Sequence, residues 1–256
     1  MKKLLVGGAV ILAGFAGTAA AAVIKWDTEK FSSSTTDSCS NGWGNSCLFD
    51  KNGEVLQARA YSTTNDSGLG VFEKATINVF AEGIGVRNRD QSNESSSPEH
   101  AVDGKGRDDL VVFEFYGPGY RATGFEIGWK QNDSDIRAWI GGESLGEGYD
   151  FTGERFSDLA ALGFTLVNFN NVGVNTFKSF NTNIIGRYVI LAPQRFNTNG
   201  YDNKDDYFMV SQIRGMPGIV VNPPDPDPQN PVSEPGTIAL LGIALAGLWA
   251  NRRRKS

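Results

Sequence analysis

In VFEKATINVF (Val71–Phe80), Ala75, Ile77 and Val79 occupy every second position, with Lys74, Thr76 and Asn78 between them. That two-residue period predicts a strand with one face in water. LVVFEFY (Leu110–Tyr116) is a near-continuous apolar run and predicts a buried strand; Gly117-Pro118-Gly119 then turns the chain. In ATGFEIGWK, Phe125, Ile127 and Trp129 alternate with Gly124, Glu126 and Gly128, and after QNDS the segment DIRAWIG alternates again, so the two are expected to pair as a hairpin. GFTLVNF, IGRYVILA and YFMVSQIRG are further strand candidates. One segment, SDLAAL (Ser157–Leu162), reads as a short helix with Ser157 as its N-cap.

Many short strands separated by polar, glycine-rich turns, with 31 Gly in the chain, predict an all-β fold, an antiparallel β-sandwich of jelly-roll type. The ends differ from this body. Residues 1–22 combine Lys2 and Lys3, an apolar stretch from Leu4 to Phe15 and small residues through Ala22, the pattern of a secretory signal peptide whose helical apolar core is too short to serve as an anchor. Residues 23–69, rich in Ser, Thr, Asn and Gly, are expected to be irregular; residues 70–219 form the sandwich, and the polar stretch between Arg87 and Arg107 is a long loop within it. VNPPDPDPQNP within residues 220–232 stops strand pairing and starts an extended spacer.

Residues 233–256 make a tail. Ile238–Ala250 is uncharged; as a helix it would span about 20 Å against a hydrocarbon core of roughly 30 Å. Its apolar residues surround the axis rather than sharing one stripe. Arg252, Arg253, Arg254 and Lys255 follow, a cluster that stays on the cytoplasmic side during export and leaves the tail transiently inserted in the membrane.

The body left between these ends holds 18 Lys+Arg against 28 Asp+Glu, an acidic balance unsuited to nucleic acid, whose phosphates require a basic face. Cys39 and Cys47 are the two cysteines; in an exported chain they are expected to form a disulfide, worth about 2–3 kcal/mol for so small a loop. Asp103, Asp108, Asp109, Asp133 and Asp135 fall in loops or at strand ends and are candidate calcium ligands, since calcium takes six to eight oxygens from such residues; turn-favoured aspartates are the plainer alternative. Glu99, Glu114 and Glu126 supply carboxylates for glycoside hydrolysis, though no pairing follows from their positions. His100, the one histidine, has no nucleophile-elbow serine near it in sequence and reads as a polar loop residue. Trp139 becomes an exposed platform for a sugar ring if Ile136, Ala138 and Ile140 face the core, with Tyr116 as a second ligand-binding candidate; packing under SDLAAL is the alternative.

Two stretches carry family resemblances. Glu234, Pro235 and Gly236, the apolar run and Arg252–Arg254 resemble the PEP-CTERM sorting signal of Gram-negative bacteria, with Ser233 where the family has its first proline. SPEHAVDGKGRDDLVVFEF and GFEIGWKQNDSDIRAWIG resemble a domain of exosortase-dependent surface proteins, which supplies no catalytic residues to carry over. The resemblance implies exosortase as the processing partner, transient insertion in the inner membrane through the C-terminal tail, and extracellular polysaccharide as a partner. The expectation is therefore a non-catalytic surface or extracellular-matrix protein. A carbohydrate-binding module, calcium-dependent or not, is the second expectation and a secreted glycosidase the third.

Overall fold

The computed structural model describes residues 22–29, 35–36, 44–65, 70–90, 97–117, 119–194 and 205–217. The helices expected at the two ends, together with Cys39, lie outside these residues. The chain divides after Ile219, where the proline-rich spacer was expected to start.

Fifteen strands occur among the described residues, and every pairing between them is antiparallel. They are β1 (Ile24–Asp27), β2 (Thr35–Thr36), β3 (Ser46–Lys51), β4 (Glu54–Thr63), β5 (Phe72–Lys74), β6 (Thr76–Phe80), β7 (Gly83–Arg87) and β8 (Val102–Asp103), followed by β9 (Asp109–Phe115), β10 (Tyr120–Asn132), β11 (Ile136–Gly141), β12 (Phe164–Phe169), β13 (Lys178–Ser179), β14 (Tyr188–Pro193) and β15 (Asp206–Pro217). One sheet runs β13-β10-β15-β7-β6, with β1 and β8 also paired to β15; the other runs β12-β11-β14-β9-β4-β3-β2, with β5 paired to β4.

The two sheets share one core. Phe49, Leu56, Val111 and Phe113 from the second sheet pack in the same cluster as Phe125, Ile127, Phe208 and Val210 from the first, all at most 1% exposed. Each such side chain contributes about 1.5–3 kcal/mol by leaving water. A second cluster covers the opposite face of the larger sheet. Leu110, Val112, Trp139, Tyr188 and Ile190 point away from the shared core and are roofed by Phe151 and Leu159 from the loop between β11 and β12.

Several sequence expectations change here. The region 23–69, expected to be irregular, supplies β1, β3 and β4. Its alternation is concealed because the inward face of β4 follows Leu56 with the small residues Ala58 and Ala60, and because Arg59 and Tyr61 on the other face are also buried. SDLAAL forms turns and no helix: Asp158 N donates to Arg155 O and Leu162 N to Asp158 O, while Phe164 N already returns to Leu159 O. Ser157 Oγ donates to Asp158 Oδ1 and does not cap. The expected hairpin between β10 and β11 does not exist, because β10 pairs with β13 and β15 in one sheet and β11 with β12 and β14 in the other.

Trp129 also departs from the expected face. Two residues of β10, from Ile127 to Trp129, oppose the single step from Val210 to Met209, a bulge that advances the alternation by one. Trp129 therefore packs with Ala101, Tyr207 and Met209 outside the shared core. Gly128 sits in the bulge, where a Cβ would collide with the backbone carbonyl of Glu82.

VFEKATINVF keeps its predicted alternation, with Ala75, Ile77 and Val79 buried, but it changes sheets at Ala75: β5 pairs with β4, β6 with β7. Asn45 pins this corner by donating from Nδ2 to Ala60 O at 3.1 Å and Ala75 O at 2.8 Å. Asn45→Ala removes both donors while leaving the strands intact. It is expected to lower stability by about 1–3 kcal/mol, read as a lower urea midpoint at unchanged slope.

Candidate functional site

The link from β10 to β11 carries the chain from one sheet to the other through Asp133, Ser134 and Asp135, after Asn132 has taken a left-handed conformation (φ 57°). Ser134 anchors the crossing, its Oγ donating to Val172 O at 2.6 Å and its carbonyl accepting from Val172 N at 3.1 Å. Asp206 opens β15 beside it, bridged to Asp133.

Asp133, Asp135 and Asp206 are 2%, 2% and 3% exposed, and each offers a carboxylate oxygen within 4.8 Å of the others. Backbone amides hold one oxygen of each. Ser134 N donates to Asp133 Oδ1 (2.7 Å), Asp135 N to Asp206 Oδ1 (2.7 Å) and Asn171 N to Asp135 Oδ1 (2.6 Å). Two unit charges at about 4.8 Å repel by about 3 kcal/mol at an effective dielectric of about 20. A divalent cation relieves that repulsion, and an all-oxygen donor set suits a hard cation such as calcium.

Of the five aspartates singled out as calcium ligands, the structure brings together Asp133 and Asp135. Asp108 is engaged elsewhere, by Arg137 Nη2 at 3.1 Å. Asp103 Oδ1 accepts from Lys105 N at 2.8 Å, and Asp109 stands opposite Ser62 in the β4–β9 pairing; all three lie outside the group of three. Asp206 was missed because DNKDDYFMV reads as a polar loop running into a strand. Its signal was parity, since Phe208 and Val210 face the shared core and one more step back along the strand reaches Asp206.

Trp139 is 5% exposed and clusters with Leu159 of SDLAAL, so the packing alternative holds and there is no exposed platform. Phe156 lies stacked on Trp139 at 4.9 Å, and the Arg137 guanidinium sits 5.1 Å from the Trp139 ring and 4.5 Å from that of Phe156. Tyr116 is half-buried and its hydroxyl donates to Gln57 Oε1 at 3.2 Å.

Each carboxylate considered for glycoside hydrolysis carries a cationic partner: Glu99 with Lys105, Glu114 with Arg59, and Glu126 with Arg214. Glu114 is fully buried. Its Oε1 also accepts from Gly148 N at 2.7 Å and from the Tyr188 hydroxyl at 3.2 Å, while Arg59 Nη1 donates to Tyr149 O at 2.9 Å. The network holds the β11–β12 loop down on the sheet. Burial, with Glu114 alongside, pushes the Tyr188 hydroxyl up to about 12, so it remains a donor across the physiological range. His100 packs against Phe80 at 4.8 Å.

The family model described as the PEP-CTERM protein-sorting motif matches residues 231–255. The chain carries a PEP-CTERM sorting signal. The match takes in Glu234, Pro235, Gly236, Arg252, Arg253 and Arg254, all outside the described residues. A PEP-CTERM signal implies exosortase-dependent export to the cell envelope. No curated protein and no solved structure matches the chain. Among the described residues no helix is long and apolar enough to cross a membrane.

Two measurements address these sites. Glu114→Ala leaves the Arg59 guanidinium under the loop without its anion, and an expected loss of about 3–5 kcal/mol would appear in chemical denaturation. For the aspartate group, calcium added to the full chain is expected to raise Tm by about 2–4 °C for each kcal/mol of binding. EDTA should reverse the rise and Asp206→Asn should abolish it; a Tm indifferent to both additions would discount the cation.

Proposed function

We propose that this is a non-catalytic cell-surface or extracellular-matrix protein of a Gram-negative bacterium, delivered by its leader and processed by exosortase. The observation that carries the reading is the sorting-motif match at residues 231–255. In this reading the apolar tail and its arginines hold the chain transiently in the inner membrane, and the tail is removed once the body is outside. The body is a jelly-roll sandwich that starts almost at the leader's expected end, since β1 begins at Ile24. Cys39 and Cys47 form a disulfide on the way out. Extracellular polysaccharide is the partner in this reading, because the sorting system that the tail resembles accompanies exopolysaccharide production.

A second reading, a calcium-assisted carbohydrate-binding module, draws on the group formed by Asp133, Asp135 and Asp206. It no longer draws on Trp139, whose ring is covered by Phe156. The secreted glycosidase stands third, because Glu99, Glu114 and Glu126 each have a basic partner close by.

The mass of the protein recovered from its host reports both cuts. Loss of residues 1–22 and of the chain beyond the Glu234-Pro235-Gly236 motif is expected, with the tail retained in a strain lacking exosortase. Recovery of a chain that still contains Trp249 and Arg252–Arg254 from exosortase-positive cells would overturn the reading.

A further inference from the structure

Sheet edges expose backbone donors and acceptors that pair with any strand offered to them, and proteins blunt them by shortening, charging or covering. Most edges in this body are treated so. β2, β8 and β13 are two residues long. β6 is bridged at Ile77 by Gly44, β5 is met by Gly153 and Glu154, and β1 carries Lys25 and Asp27. β12 is different. It is six residues long and uncharged, has no proline, pairs through all six residues with β11, and among the described residues nothing pairs with its outer side.

The side chains beside that edge fit the same pattern. Thr165, Leu166 and Asn168 are exposed, Leu166 at 44%. Beyond β12 the chain runs along the outer side of β10, where Val174 bridges Ile127 and where Val174 and Phe177 are 39% and 38% exposed. Residues 164–186 contain a single charged residue, Lys178, in a body with 18 Lys+Arg against 28 Asp+Glu.

We propose that the β12 edge is a self-association surface, on which a second copy of this chain pairs its own β12 antiparallel about a two-fold axis. An antiparallel edge is self-complementary under that symmetry, so each copy presents what the other needs. Charge restricts where the copies can meet: two acidic bodies repel least across a flank that contributes no carboxylate, and 164–186 contributes none, while the neighbouring Glu126 is paired with Arg214. Six paired residues extend over about 20 Å. With Leu166, Val174 and Phe177 alongside, the contact falls near or below the about 1,200 Å² at which stable interfaces begin, so the dimer is weak in dilute solution. It becomes populated where chains are concentrated on one surface, at effective concentrations of about a millimolar.

The test is sedimentation velocity of the exported protein from about 1 µM to about 1 mM, together with backbone hydrogen exchange at both ends of that range. The expected result is a monomer that shifts to a dimer as concentration rises, with slowed exchange confined to residues 164–169 and their flank. The double variant L166K/N168K places like charges across the joint at two exposed positions and is expected to remain monomeric with an unchanged melting temperature. A wild type that stays monomeric throughout, a double variant that associates like wild type, or protection that maps elsewhere would each overturn the proposal. If the double variant fails to fold, the exchange map of the wild type decides alone. None of these outcomes depends on whether the sorting reading holds.

Discussion

β15 is the strand on which the smaller sheet depends. β10 pairs along it from Tyr120 opposite Pro217 to Asn132 opposite Asp206. On its other side β1, β7 and β8 take successive stretches at Gln212–Gly215, Val210, and Tyr207–Phe208. Without β15, three strands that do not pair with one another lose their common partner. It is also the last strand among the described residues, so this sheet cannot close until almost the whole body is available, a high-contact-order arrangement that folds late.

How much of this was legible in the sequence depended on whether a feature was periodic or relational. Periodicity located β6, β9, β12, β14 and β15, because apolar spacing follows directly from which face is buried. Pairing was not legible in the same way. QNDS looks like a hairpin turn because hairpin turns and inter-sheet crossings both need polar, left-handed-tolerant residues such as Asn132; what separates them is the partner each strand finds over long range. The bulge at Gly128 was hidden for the same reason, since it is defined by β15 more than 80 residues away in sequence. Two of the three aspartates, Asp133 and Asp135, were visible, and Asp206 was not, because it meets them only through the pairing of β10 with β15.

Sheets in sandwiches commonly keep one face for water; the larger sheet here keeps little of its second face that way. The β11–β12 loop places Phe151, Phe156 and Leu159 over Tyr61, Trp139 and Tyr188, and the polar groups trapped beneath are met by one another: Arg59 by Glu114, Arg137 by Asp108. A buried guanidinium is tolerable because its planar fork can meet a carboxylate and a carbonyl together, as Arg137 does with Asp108 and Pro193 O. These carboxylates therefore do structural duty in fixing the loop. That duty explains why sequence alone could offer Glu114 as a catalytic candidate: an acidic residue in an apolar strand looks the same whether its partner is a substrate or an arginine.

The aspartate group differs from those pairs in bringing three carboxylates within 4.8 Å of one another. It stands where the chain passes between sheets and where β15 begins, so anything bound there acts on the junction of both. The backbone amides of Ser134, Asp135 and Asn171 orient the carboxylates. In the calcium-assisted reading proposed above, a hard cation would join them there after export. That order of events would link closure of the smaller sheet to arrival in the compartment for which the sorting signal marks the protein.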